Sequence, residues 1–150
     1  MKKADISPDS AKIGSAAYPS PYDEAVAGRK TWMLTKQYGL NQFGVNRVEL
    51  PPNTWSTQRH WHTKNDEAVI MVSGELVLVT DDGEETLKAG DCVCFKAGEP
   101  NAHHLQNRSD QPAVYYDIGG RDTWDKSYFP DIGLEARTLM QINFRDIKEK

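Results

Sequence analysis

From residue 45 onward the chain is a succession of short apolar runs, and turn signals cut it every 8 to 12 residues or so, the rhythm of a β-sandwich or barrel. The runs fall at 45–50, 67–73, 75–80, 85–88, 91–95, 103–107 and 113–118. Pro51-Pro52-Asn53, Asp81-Asp82-Gly83, Ala89-Gly90 and Gly98-Glu99-Pro100-Asn101 stand between them. No run is long enough to bury a helical face, so the pattern predicts an all-β domain. Asp82-Gly83 predicts a tight hairpin, because both residues accept positive φ at little cost. Upstream, Ser, Pro, Gly and Ala without periodicity predict a flexible arm over residues 1–20. The remaining 21–150 form one domain, with its core barrel at about 43–120 on the strand pattern. Pro21 and Gly28 bracket a short helix expected over 22–28. After Gly119-Gly120, a polar stretch broken by Pro130 and Gly133 predicts a short irregular C-terminal tail packed on the outside of the sheet.

Composition narrows the partners. The chain has 150 residues and a net charge of −4, and its pI is about 5.5. It therefore lacks the basic stripe of a nucleic-acid protein. There is no run of about 18 apolar residues for a membrane span and no apolar leader, so a cytoplasmic protein is expected. Cys92 and Cys94, two apart on one strand, point to the same face and are poorly placed for a disulfide. Buried free thiols are the expectation.

All four histidines fall in two pairs, His60 with His62 and His103 with His104. On a strand, residues i and i+2 share a face, so His60 and His62 lie side by side. A turn at 63–66 then returns the chain, and Glu67 comes back toward the imidazole pair. Two imidazoles and a carboxylate suit a borderline divalent ion such as Fe, Mn, Ni, Co or Zn. A third imidazole from the later strand would complete four protein ligands. His103 and His104 point to opposite faces, so one of them can serve.

The stretch from Asn53 to Asn107 resembles the cupin superfamily, small single-domain bacterial members above all. The first motif reads His60-x-His62-x4-Glu67-x6-Gly74; the second reads Gly90-Asp91, then Gly98, Pro100 and His103-x3-Asn107. The resemblance implies a cupin jelly-roll β-barrel in which His60, His62, Glu67 and His103 bind one divalent metal ion per chain. The spacing to Asn107 and the inward Leu105 select His103 over His104. Three positions depart from the family pattern. Asn53 replaces a turn glycine, and tolerates the left-handed conformation well. Lys96 replaces a proline, and the loop from Gly98 to the histidine is two residues longer than the common form.

Alternation also nominates Gln58 and Asn107 as neighbours of the ligands. Arg59 and Trp61 turn to the other face, against the arm or a second subunit. Outward aromatic residues, Trp55 and Trp61, and exposed sheet edges predict a homodimer. The expected function is metal-dependent chemistry on a small organic molecule, with isomerase, dioxygenase and lyase reactions all open. The alternative is a non-catalytic module that binds a sugar or another metabolite.

Overall fold

The structure, a computed structural model, describes residues 2–14, 18–137 and 145–146. The parts of the expected arm and tail at 1, 15–17, 138–144 and 147–150 lie outside the described residues. The strands are β1 (Lys12–Ile13), β2 (Lys30–Met33), β3 (Phe43–Leu50), β4 (Trp61–His62), β5 (Glu67–Ser73), β6 (Glu75–Thr80) and β7 (Gly83–Lys88). They continue as β8 (Cys92–Phe95), β9 (His104–Gln106), β10 (Ala113–Gly120), β11 (Lys126–Phe129), β12 (Leu134–Arg137) and β13 (Arg145–Asp146), and one α-turn, α1, spans Leu34–Gln37. Every pairing is antiparallel.

A six-stranded sheet runs β1-β2-β3-β10-β5-β8, faced by a three-stranded sheet β7-β6-β9. A further sheet, β13-β12-β11-β4, carries His62, and His60 stands just before β4 in a bridge with His103. Period-two alternation puts Val48, Val69, Met71 and Tyr115 of the large sheet against Leu76, Leu78, Leu87 and Leu105, and these residues make the core. Leu50, Leu76 and Val48 have no accessible surface, so the two sheets meet dry. The expected turns are in place. Asn53 sits at φ 60° and Gly83, in the β6–β7 turn, at φ 131°. Gly74 joins β5 to β6 at φ 73°, where a Cβ would approach the Pro112 carbonyl to 2.7 Å, so no larger residue fits.

The all-β reading holds, and four local expectations change. Residues 22–28 form no α-helix; a single 3-10 turn, Glu24–Val26, stands there. The arm is held where it is described: β1 pairs with β2, and the Trp32 indole donates to the Ser7 carbonyl at 2.8 Å. The tail is strand rather than irregular chain. Buried Ser127 and Phe129 alternate with half-buried Lys126 and Tyr128, a period too short to stand out among polar residues. Cys92 and Cys94 are free and exposed, because the inward positions of β8 belong to Val93 and Phe95, which pack on the core. Among the described residues no helix is long and apolar enough to cross a membrane.

Candidate metal centre

Two backbone hydrogen bonds bring the histidine pairs together. His60 N donates to the His103 carbonyl at 3.1 Å, and His103 N donates to the His60 carbonyl at 2.9 Å. β4 follows at once with His62, and β5 opens on Glu67. Each imidazole is then aimed by its Nδ1 atom. His60 Nδ1 lies 3.0 Å from the Gln58 carbonyl, and His103 Nδ1 lies 3.2 Å from the Asn101 carbonyl. His62 Nδ1 lies 2.6 Å from Asp125 Oδ2. With Nδ1 engaged, every Nε2 points at Glu67, at 3.7 Å for His60, 3.3 Å for His62 and 2.8 Å for His103. Ligand atoms of His60, His62 and Glu67 all lie within 4.8 Å of one another. His103 joins the group through its contact with Glu67.

Aromatic rings hold the imidazoles from behind. Phe95 stacks on His103 with centroids 3.5 Å apart, and Phe129 stacks on His60 at 5.5 Å. His104 faces the other way. Its Nδ1 meets the Thr57 carbonyl at 3.0 Å, its Nε2 meets Gln106, and its ring lies edge-on to Trp55. Burial pushes its imidazole down to about 4, so it stays neutral at physiological pH.

The electrostatics centre on the carboxylate. Burial alone would push the Glu67 carboxyl up, but the hydrogen bond with His103 and the two other imidazoles gathered around it outweigh burial and hold it well below the usual carboxylate range. Burial pushes His60 down against the pull of Glu67. Burial acts downward on His62 as well, yet Asp125 and Glu67 together raise it to about 10. His62 thus stands between two carboxylates, Asp125 at Nδ1 and Glu67 at Nε2, and both favour its protonated form. The donor set of imidazole nitrogens around one carboxylate fits a borderline divalent ion. Fixing each Nδ1 on an acceptor is the arrangement that orients and strengthens imidazole ligands.

Asp125 is a residue of the cluster that the sequence reading missed. It is 2% exposed and also accepts from Lys64 N at 2.8 Å and Asn65 N at 3.3 Å. Nothing in its neighbourhood, Asp122-Thr123-Trp124-Asp125, marks it; only the return of β11 beside β4 places it. The two nominated neighbours behave differently. Gln58 serves through its carbonyl, whereas Asn107 donates to the Leu50 and Gln111 carbonyls at 2.8 Å and braces loops. Trp61 stacks on Tyr128 of the tail, and Arg59 bridges Asp81 and Asp131. A cavity beside the cluster is lined by His62, Glu67, Phe95, Lys96, Asn101 and His103.

The chain belongs to the cupin superfamily. The cupin domain model matches residues 46–119. Over 99% of its length the chain is similar to a sugar phosphate isomerase of the cupin superfamily from Silicibacter pomeroyi, at 38% identity and a TM-score of 0.89, covering 95% of that chain. A candidate sugar phosphate isomerase from Acidithiobacillus ferrooxidans matches 83% of the chain at 26% identity, with a TM-score of 0.76 and 80% of that chain covered. The polyketide cyclase RemF from Streptomyces resistomycificus shares the fold at 18% identity, with a TM-score of 0.61 over 81% of each chain. A comparison with curated proteins finds no match.

Asp125→Asn keeps the shape of the side chain and removes its charge. We expect it to weaken divalent-metal affinity by roughly 10- to 100-fold without unfolding the domain, read by competition against a chromogenic chelator. Unchanged affinity would show that Asp125 does not orient His62.

Proposed function

We propose that this chain is a metal-dependent isomerase of a phosphorylated sugar, with one divalent ion held by His60, His62, Glu67 and His103. One observation carries the reading: three imidazole nitrogens converge on a single buried carboxylate, in a chain 38% identical to a sugar phosphate isomerase across nearly its whole length. A divalent ion held there supplies Lewis acidity to a carbonyl or hydroxyl oxygen of the substrate. The chain's own residues do the rest of the positioning. Asp125, the Gln58 carbonyl and the Asn101 carbonyl hold the three rings at fixed angles. Phe95 and Phe129 keep water from their outer faces. Lys96 offers a cation along the wall of the adjoining cavity.

Protein loaded with divalent metal is expected to interconvert the aldose and ketose forms of a phosphorylated sugar. Chelation should abolish turnover, and Glu67→Gln should lower it at least 100-fold, on the scale of losing a charged contact worth about 3 kcal/mol. A metal-replete protein that binds such sugars tightly and turns none over would make it a binding module instead.

We further propose a cytoplasmic homodimer. The aromatic residues first expected at the interface are used within the chain, since Trp61 is covered by Tyr128 and Trp55 packs on His104. The outer face of the large sheet instead exposes Phe43, Ile70 and Val72, at 45%, 38% and 47% of their surface. An apolar face of this kind is covered by a second copy in the commonest closed symmetry. Sedimentation should give twice the 16.9 kDa chain mass. Val72→Lys should shift it to the monomer, and a monomeric wild type would refute the dimer.

A further inference from the structure

Arg29 is a buried guanidinium without a proper partner. Its side chain is 15% exposed, and its backbone is pinned, N donating to the Val26 carbonyl and O accepting from Gly14 N. Among the described residues none of its five N–H donors meets an acceptor at hydrogen-bond distance, and Nε is fully buried with no partner. The one charge beside it is Asp117, 4.0 Å away, at the outer limit of an ion pair. Among the described residues, the guanidinium fork therefore has donors left to receive an acceptor beyond Asp117.

The surroundings place this group inside the barrel, next to the metal cluster. Asp117 stands opposite Asn46 on β3 and Val69 on β5, on the inner face of the large sheet. Glu67 stands opposite Gly119, so Glu67 and Asp117 are diagonal neighbours, about 7–8 Å apart by sheet geometry and somewhat closer at Cβ. Asn46 Nδ2 donates to Asp117 Oδ2 at 3.4 Å, while Asn46 Oδ1 is buried without a partner. Asp117 keeps 27% of its side-chain surface although the sheet carries it inward. Burial and the Glu67 charge push its carboxyl up, and Arg29 offsets them only in part. Arg121, whose guanidinium crosses Gly44, adds a second positive charge felt by Asp117.

We propose that Arg29 anchors an oxyanion subsite that takes the phosphate of the substrate, with Asn46 and Asp117 forming the polar wall around it. This deepens the isomerase reading and rests on it for the identity of the ligand. The planar fork of arginine matches a tetrahedral oxyanion through two parallel hydrogen bonds. Charge favours this side of the cluster over the other, where Asp82 and Glu99 outnumber Lys96 along the cavity wall.

The test is equilibrium binding of inorganic phosphate to the purified metal-loaded chain, alone and in competition with a phosphorylated sugar. Wild type should bind phosphate, and Arg29→Ala should weaken it at least tenfold. Asp117→Asn, which removes the competing carboxylate, should bind at least as tightly as wild type. Arg29→Lys keeps the charge and loses the fork, and should fall between wild type and Arg29→Ala; it stands in should Arg29→Ala fail to fold. Phosphate binding that survives both arginine changes, or that Asp117→Asn abolishes, overturns the subsite. The two readings fail separately. Arg29-dependent phosphate binding without turnover of any phosphorylated sugar keeps the subsite and removes the isomerase. Turnover in which Arg29→Ala raises KM equally for phosphorylated and unphosphorylated sugars keeps the isomerase and removes the subsite.

Discussion

The Glu67 carboxylate, gathered among three imidazole Nε2 atoms, is the interaction around which the rest of this barrel is arranged. A carboxylate this buried is expensive unless charge and hydrogen bonds meet it. Here three rings from two separate stretches of chain do so. Each ring is in turn tied through Nδ1 to a carbonyl or to Asp125. Three imidazole Nε2 atoms are gathered at one buried carboxylate, and once those nitrogens carry no proton they and the carboxylate are the atoms a borderline divalent cation takes as ligands.

Much of the chain is committed to that arrangement. The His60–His103 backbone bridge ties the two motifs. The tail strand β11 delivers Asp125 and Phe129, one to hold His62 and the other to stack on His60. The arm packs beside Trp32 and leads through the 3-10 turn to Arg29. Of the chain outside the core barrel, the tail contacts the cluster through Asp125 and Phe129, and the match to the Silicibacter pomeroyi structure runs well beyond the cupin domain itself.

Much of this was legible in the residues. Strand positions from 67–73 to 113–118 follow from turn residues and alternation, and β5 and β6 fall at the residues expected. The pairing of His60 with His62, and the return of Glu67, follow from the two-residue period and a four-residue turn. The choice of His103 rests on the spacing to Asn107 and on resemblance; in the structure His103, just before β9, faces Glu67, and His104, the first residue of β9, faces Trp55. What stayed hidden depends on contacts distant in sequence. Asp125 lies 63 residues from His62 and shows no local signature. The orphan state of Arg29 appears only when its neighbours are known. The outward phase of Cys92 and Cys94 depends on which face of an edge strand the core takes, and alternation alone leaves that choice open.

Metal content after dialysis tests the central claim most directly, measured by elemental analysis for wild type and His60→Ala at pH 5.5 and pH 8. Asp125 and Glu67 raise His62 to about 10, so an incoming metal must displace a proton from its Nε2. Affinity therefore rises with pH, and falls as acid restores protons to the rings. The account predicts about one equivalent per wild-type chain at pH 8, clearly less at pH 5.5, and less in His60→Ala at both. Equal metal content in both proteins at both pH values would contradict it.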